Sequence, residues 1–511
     1  MSDFIVNLDN CAREPIHIPG AIQPHGVMFV LNEPDLSILQ VSNNTEYFIG
    51  LSPNQLLEKG LESFLLPAQV DRVRFALNTS DPTENNPVDL QLRSRQEGIE
   101  LQGVGHRYDG FSILELEAAV PADSTHFLDF YKTVSKTTGR LQLAPTLKFL
   151  LDEAAEGLRE VTGFDRVMIY RFAPNGEGEV VAESRIASVE PYLGLWYPAS
   201  DIPEQARRMY ALSPIRSIPD VAYKPVPLTP AINPVSRRPT DLTYAGLRSV
   251  SPIHCEYLTN MGVLASTSIS ILRDGKLWGL ISCHHYSPKV VHFELRKACT
   301  FLGQVLSGEI VRREIEEESA YSAQSNAIQA RFLELMAGSS DPLLALLKFT
   351  PNLLNLIPAA GAAIVVGDQV QTLGITPSYT ELLTLVDSLR KMNVPSTFFT
   401  NSLKNNFAAA EKFTQTASGV IALEISRHPL KCILYFRPEI AQTVTWAGNP
   451  DKPVLPTEDG FRLAPRASFA AWKEEVRGTA SPWTASERRV ADDLRNLVTA
   501  ASFRRNAATA G

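Results

Sequence analysis

Three places in the chain combine residue types able to do chemistry. The tripeptide Cys283-His284-His285 offers a thiol and two imidazoles. Strand neighbours point to opposite faces, so Cys283 and His285 would share one face and His284 would stand on the other. That spacing is poor for a metal. It leaves two readings open, buried and satisfied side chains or a cofactor contact from His284. His254-Cys255, just after Pro252, sets a base beside a thiol. Consecutive helix residues do not face each other, and no carboxylate is placed to orient the imidazole, which argues against a thiol hydrolase. Cys11 stands beside a turn-rich segment and, taken alone, reads as an incidental exposed thiol. The sequence has no GxxxxGK[ST], no GxGxxG after a strand and no HExxH, so phosphate-loop, dinucleotide and HExxH zinc chemistry are excluded as starting points.

Composition bounds what can surround these residues. At about 150 residues per domain, 511 residues suggest three domains. Hydrophobic residues make up 44% and charged residues 20%, ordinary for a folded globular chain. Lys and Arg number 48 against 56 Asp and Glu, a net charge of −8, so nucleic acid and anionic membrane are not expected partners and only a local basic pocket would hold an anion. The five scattered cysteines include no CxxC pair, which points to a reducing, cytoplasmic setting. The acidic N-terminus lacks a signal pattern. Residues 349–367 carry no charge, but Pro351, Asn352, Asn355 and Pro358 exclude a spanning helix there. The stretch reads as a helix end, a turn and a buried strand Ala362–Val366.

The elements that would position the reactive residues follow from periodicity. Strands are expected over Gly26–Leu31 and Ser37–Val41, after an irregular segment Cys11–Gly26 broken by Pro15, Pro19, Gly20 and Pro24. A helical bridge, His126–Arg140, leads to a helix Pro145–Glu160, strands Asp165–Phe172 and Gly178–Arg185, and a helix Pro203–Leu212. Residues 213–250 hold seven prolines, and a loop of that size is usually functional. Strands Ala265–Arg273 and Lys276–His285 meet at Asp274-Gly275, a strong hairpin signal. From Phe293 to about Met336 helical spacing hardly breaks. The reading is either one helix of more than 60 Å that links domains and offers a dimer face, or two helices broken near Ser319–Ser325. Beyond it, strands Ala362–Val366, Gly419–Ile425 and Cys432–Phe436 surround a helix Tyr379–Met392. A polar excursion, Arg437 to Ala480, precedes a final helix Ala485–Arg505. The fold class is α+β, three mixed domains with antiparallel sheets joined by long helices.

Taken in order, the motifs resemble those of bacteriophytochromes over residues ~5–505. Cys11-Ala12-Arg13-Glu14-Pro15-Ile16-His17-Ile18-Pro19-Gly20 with Ile22-Gln23-Pro24-His25-Gly26 is similar to the biliverdin-attachment segment. Tyr197-Pro198-Ala199-Ser200-Asp201-Ile202-Pro203 resembles the PASDIP motif. Ser251-Pro252-Ile253-His254, Glu256-Tyr257-Leu258 and Asn260-Met261-Gly262 are similar to the chromophore-pocket helix. Trp278-Gly279-Leu280 and Cys283-His284-His285-Tyr286 match the strand after it. Pro465-Arg466-Ala467-Ser468-Phe469 with Trp472-Lys473-Glu474 resembles the signature of the PHY-domain tongue.

That resemblance implies a PAS–GAF–PHY photosensory unit. Its expected borders are 1–125, 126–318 and 319–511, with a tongue at about 437–480. A figure-of-eight knot would thread the N-terminal segment, near Ile22, through the Pro-rich lasso 213–250. The implied cofactor is biliverdin IXα, joined as a thioether to Cys11. Arg216, Arg248, Tyr210, Ser251, Ser266 and Ser268 are the implied propionate partners. The Asp201 carbonyl and a water held by His254 would meet the pyrrole nitrogens, His284 the D-ring carbonyl, and Tyr170, Tyr197 and Tyr257 would line the D-ring space. Red light would isomerise the C15=C16 bridge. Arg466, paired with Asp201 in the dark, would then release it to Ser468 as the tongue, with Trp472, refolds from hairpin to helix. A near-complete switch needs about 5.5 kcal/mol and one exposed ion pair supplies ~1 kcal/mol or less, so that pair must act together with refolding. The family also implies a homodimer through GAF and long-helix faces, and a C-terminal histidine kinase or a response regulator downstream.

Two departures bear on the anchor and the output. Cys255 stands where many relatives carry Leu, and is either a second thiol near the A ring or a small buried residue. Plant-type phytochromes attach their bilin just before the pocket histidine, where this chain has Ile253, so Cys11 is the expected anchor. After Ala507 nothing remains to hold a kinase, so this chain is expected to catalyse no phosphotransfer. The rival readings are a PAS/GAF sensor of haem or a small metabolite, and a thiol enzyme.

Overall fold

The computed structural model describes residues 14–77, 86–92, 100–119, 124–391, 395–440, 442–448, 454–457, 460–463, 469 and 471–509. The chain divides into two compact units, residues 1–311 with 445–472, and residues 312–444 with 473–511.

The first unit holds two sheets. The N-terminal one has seven strands, in the order Ala21–Ile22, Val226–Thr229, Ile38–Ser42, Gly26–Leu31, Phe111–Ala118, Leu101–Tyr108, Val88–Leu90. Gly26–Leu31 is apolar throughout because the sheet is covered on both sides. Val27, Phe29 and Leu31 pack towards Phe64 and Val73, with the Phe29 and Phe64 rings stacked at 4.8 Å. Met28 and Ile113 pack on the other side with Ile22, Leu228, Leu242 and Leu247. Val226–Thr229 comes from the Pro-rich excursion, whose prolines disguise it in the sequence. Residues 20–23 bond along one edge to this strand, through Leu228 N–H to the Gly20 carbonyl at 3.0 Å. Along the other edge, Gln23 N–H donates to Leu247 O at 2.7 Å and Ser249 N–H to Ala21 O at 3.0 Å. The N-terminal segment therefore runs between the two limbs of the excursion, with Ile22 fully buried.

The central sheet orders Ile215–Ile218, Ala265–Arg273, Lys276–His285, Arg166–Phe172, Gly178–Arg185, Trp196–Tyr197, Gln442–Ala447 and Ala471–Val476. The expected hairpin is present, with Asp274 at φ 51° and Gly275 at φ 72°, the left-handed pair of a tight two-residue turn. Helices Leu147–Thr162 and Phe293–Ala337 cover one face, where Leu150, Ala154, Leu158, Leu302 and Leu306 meet Ile269, Ile281 and Cys283. Trp446 pairs in parallel with Trp196, bringing the excursion's first strand onto this sheet.

In the second unit five antiparallel strands run Gln369–Gly374, Gly361–Val366, Leu430–Arg437, Gly419–Arg427, Thr397–Thr400. Alternation divides their residues between two cores. Ile421, Leu423, Ile433 and Tyr435 face Leu494 and Val498 of helix Ala485–Thr509. Val420, Ala422, Leu434 and Phe436 face Leu382 and Leu385 of helix Tyr379–Lys391. The uncharged stretch becomes a short helix Leu353–Leu356, a turn and the strand Gly361–Val366.

Phe293–Ala337 is one helix of 45 residues, which removes the broken alternative. No Gly or Pro interrupts 309–337, and Arg312–Glu316 and Arg331–Glu334 support it along the surface. Among the described residues no helix is long and apolar enough to cross a membrane.

Gly26 is the tightest join between the N-terminal sheet and the excursion. A Cβ there would lie 2.7 Å from the Leu116 carbonyl oxygen and 2.7 Å from a Leu247 methyl. Gly26→Ala is expected to cost about 1–3 kcal/mol and to lower the thermal midpoint of the apoprotein. An unchanged midpoint, with unchanged protease resistance at 240–250, would contradict this packing.

Candidate functional site

The uncovered face of the central sheet floors a cavity that offers about 210 Å³ to the centre of a water-sized sphere. Cross-strand register assembles the floor. Ser266 lies opposite His284, Ser268 opposite Ser282, and Arg216 opposite Ser268. As alternation required, His284 faces the cavity. Cys283 is buried on the helix-covered face, and His285 turns away to Asp165, Nδ1 to carboxylate 2.7 Å. Strand Arg166–Phe172 contributes Tyr170, Trp196–Tyr197 contributes Tyr197, and the following turn Asp201. Helix Glu204–Leu212 supplies Tyr210. Helix Pro252–Asn260 supplies His254 and Tyr257 three residues apart on one face, with Ser251 before it. Arg248 enters from the excursion.

Twelve of the expected cofactor residues thus line one cavity: Tyr170, Tyr197, Asp201, Tyr210, Arg216, Arg248, Ser251, His254, Tyr257, Ser266, Ser268 and His284. Cys11, Arg466 and Ser468 lie outside the described residues. Trp472 is exposed on the strand Ala471–Val476. Cys255 does not line the cavity, and burial pushes its thiol up to about 11, the wrong direction for a nucleophile. Among the described residues no group of three or more His, Cys, Asp or Glu could hold a metal.

Aromatic rings shape the far end. Tyr170 and Tyr197 meet edge-on at 5.8 Å, and Phe469 meets Tyr257 edge-on at 5.1 Å. The His254 and Tyr257 rings lie 6.2 Å apart and nearly parallel, and Tyr257 donates its hydroxyl to Asp201 at 3.0 Å. His284 Nε2 is 3.1 Å from Ser282 Oγ, while its buried Nδ1 has no partner.

The electrostatics are one-sided. Arg216 gives its guanidinium to the carbonyls of Ala245 (3.1 Å), Gly246 (3.2 Å) and Arg248. Arg248 is 6% exposed, and among the described residues its Nη1 reaches only the Met209 sulfur at 3.7 Å and its Nε has no partner. Burial, then the charge of Arg216, draws Arg248 down to about 9. Burial likewise pulls His254 to about 4 and His284 to about 3, with Arg216 adding to the first and Arg166 to the second. A buried guanidinium with donor capacity to spare calls for an anion. A carboxylate matches it in both charge and fork geometry.

Sequence reasoning missed several wall residues, among them Glu14, Gln205, Met209 and Ser282. Glu14 sits inside the attachment-like motif and accepts from Ser251 Oγ at 3.0 Å, so the motif itself carried that signal. Ser282 was detectable as the cavity-side neighbour of His284 two positions on.

Comparison with known proteins fits this geometry. Family models match in sequence order, a PAS fold over 11–119, a GAF domain over 146–312 and a phytochrome region over 325–507. A bacteriophytochrome from Xanthomonas campestris is 32% identical over 96% of this chain and 78% of its own length. The chain belongs to the phytochrome family. Cyanobacterial phytochrome B from Nostoc sp. is 44% identical over 97% of this chain and 66% of its own. The chain spans 63–66% of the length of the cyanobacterial phytochromes that it matches. A bacteriophytochrome crystal structure from the photosynthetic bacterium R. palustris superposes with a TM-score of 0.87 at 41% identity, covering 98% of this chain and all of that one. Phytochromes are red/far-red photoreceptors with a bilin chromophore, which sets aside the haem and metabolite sensor reading.

The depressed imidazoles make stability depend on pH. Their folded-state values lie below the unfolded value near 6.5, so the unfolded chain takes up protons first as pH falls. The stability is fully present above about 6.5 and is lost towards about 4. Urea unfolding of the apoprotein should show it falling by about 1–3 kcal/mol across that window, and His254→Gln should flatten the slope. An unaltered slope in that variant would overturn the assignment.

Proposed function

We propose that this chain is the light-sensing part of a bacteriophytochrome that carries biliverdin IXα as a thioether on Cys11. The observation that carries this reading is the buried, incompletely partnered guanidinium of Arg248 in a cavity that also holds Arg216, serines, tyrosines, two neutral imidazoles and the carboxyls of Glu14 and Asp201. Arg248 and Arg216, with Tyr210, Ser251, Ser266 and Ser268, would hold the two propionates. The Asp201 backbone carbonyl would accept from the pyrrole N–H groups. His254 would hold a water there and move a proton. His284 has one unpartnered ring nitrogen on the wall and would donate to the terminal-ring carbonyl. Tyr170, Tyr197 and Tyr257 would exclude water around that ring. Biliverdin, when bound, supplies red absorption and a bridge double bond that light isomerises.

On the signalling side, Arg466 and then Ser468 would pair with Asp201. The excursion about 437–480 is the tongue, with Trp472 outside the cavity wall. Tyr257, which donates to Asp201 and touches Phe469, is the side chain placed to feel both events. The proposed borders are 1–125, 126–318 and 319–511. The setting is cytoplasmic. The partners are a second copy through the GAF and long-helix faces, and a histidine kinase or response regulator as output.

Mixing apoprotein with biliverdin should give red absorption that far-red light restores after red light. A colourless product, or a spectrum that no illumination alters, would overturn the reading. Cys11→Ser should lose the zinc-fluorescent band on a denaturing gel. Full retention would move the anchor to Cys255.

A further inference from the structure

The stretch Ala245–Arg248 is held from two sides by opposite charges. Arg216 takes its carbonyls on the cavity side, as described above. Its amide groups go elsewhere. Leu247 N–H donates to Glu115 Oε2 at 2.6 Å and Gly246 N–H to Glu115 Oε1 at 3.1 Å. Glu115 belongs to the strand Phe111–Ala118 of the N-terminal sheet, is 2% exposed, and does not line the cavity. Leu247 is fully buried and its carbonyl accepts from Gln23 N–H, so the residue before Arg248 is fixed through both its amide and its carbonyl. A buried carboxylate is expensive unless its oxygens are satisfied. Here they are spent on two backbone amides, while the imidazole of His106 stands 3.8 Å away and Glu117 is occupied by Arg296 at 2.7 and 2.8 Å.

We propose that Glu115 is a positioning residue for Arg248, through which the N-terminal sheet sets the affinity of the neighbouring domain for the carboxylates of its chromophore. The link between the two side chains is the backbone of residues 246–247. Charge-assisted bonds to these amides are stronger than neutral ones. They fix the direction in which the next side chain leaves the chain. The proposal rests on the reading that Arg248 holds a propionate.

The test is reversible binding to apoprotein carrying Cys11→Ser, followed by tryptophan quenching, with two probes, biliverdin and its dimethyl ester. The pH is set between about 7, to which burial raises the Glu115 carboxyl, and about 9, to which burial lowers Arg248, so that both groups are charged. Glu115→Gln keeps the shape but turns an amide NH₂ towards one of the two amides. It should weaken biliverdin roughly tenfold and the ester by no more than about twofold, and Arg248→Ala should do the same. The double variant should lose no more than Arg248→Ala alone. A variant that merely loosened the fold would weaken both probes alike, so equal loss for acid and ester, or no loss, in Glu115→Gln overturns the proposal. If Arg248→Ala itself fails to separate acid from ester, the propionate reading falls first and the proposal with it.

Discussion

Two guanidinium groups in one cavity wall, Arg248 buried and Arg216 half-buried, set the terms for the rest of the first unit. Among the described residues neither Arg216 nor Arg248 is ion-paired with an acidic side chain, and burial, then the charge of Arg216, draws Arg248 down. The fold answers Arg216 with three peptide carbonyls and leaves Arg248 with a thioether contact. Peptide dipoles can be spent this way only if their other ends are also satisfied. That requirement explains why an acid of the N-terminal sheet lies behind the turn and why the N-terminal segment must pass beside it. The two sheets of this unit are therefore joined by electrostatics as much as by the apolar contacts of Ile22, Leu228 and Leu247.

The same constraint accounts for the composition of the floor. Strands that face a helix layer on one side and a polar ligand cavity on the other must alternate apolar with small hydroxyl residues. Ser266, Ser268 and Ser282 do so against Thr267, Ile269, Ile281 and Cys283. Serine hydroxyls rotate to donate or accept, so they serve a carboxylate without imposing a charge of their own. Packing on the covered side then fixes the floor. Within the sheet itself the fit is close too: a Cβ on Gly279 would strike the Tyr170 carbonyl oxygen, and one on Gly178 the cavity-facing ring of Tyr170.

Periodicity made most elements legible because it is a local property. The hairpin Ala265–His285, the long helix and the alternate facing of Cys283, His284 and His285 follow from spacing of residues within each element. What the sequence concealed is non-local. Val226–Thr229 is a strand only because the N-terminal sheet offers it an edge, and its flanking prolines argue against it in isolation. Ile215–Ile218 is likewise short and acquires its role from Ala265–Arg273. The gathering of twelve wall residues from across 170–284 was available only through motif resemblance, since no spacing rule brings Tyr170 near Tyr257. That Arg216 spends its fork on carbonyls, and that Glu115 lies behind Arg248, no motif announced.

Neutral imidazoles are the further consequence of the paired arginines. His254 and His284 are desolvated, and each feels at least one guanidinium, so the proton is held off both at ordinary pH. An anion bound to Arg216 and Arg248 reverses the second effect while leaving the first, because opposite charge nearby favours the protonated form and burial still opposes it. The two histidines differ in what else acts on them. His254 feels Arg216, whose field a bound carboxylate cancels. His284 feels Arg166, its cross-strand neighbour on the same face, which lies 3.4 Å from Glu183 and over the Tyr192 ring. An anion on Arg216 therefore acts more directly on His254 than on His284, whose neighbouring guanidinium already has Glu183 beside it. Strand register decides which guanidinium each site meets: Arg166 lies directly opposite His284, while Arg216 lies opposite Ser268, two strands away towards the sheet edge.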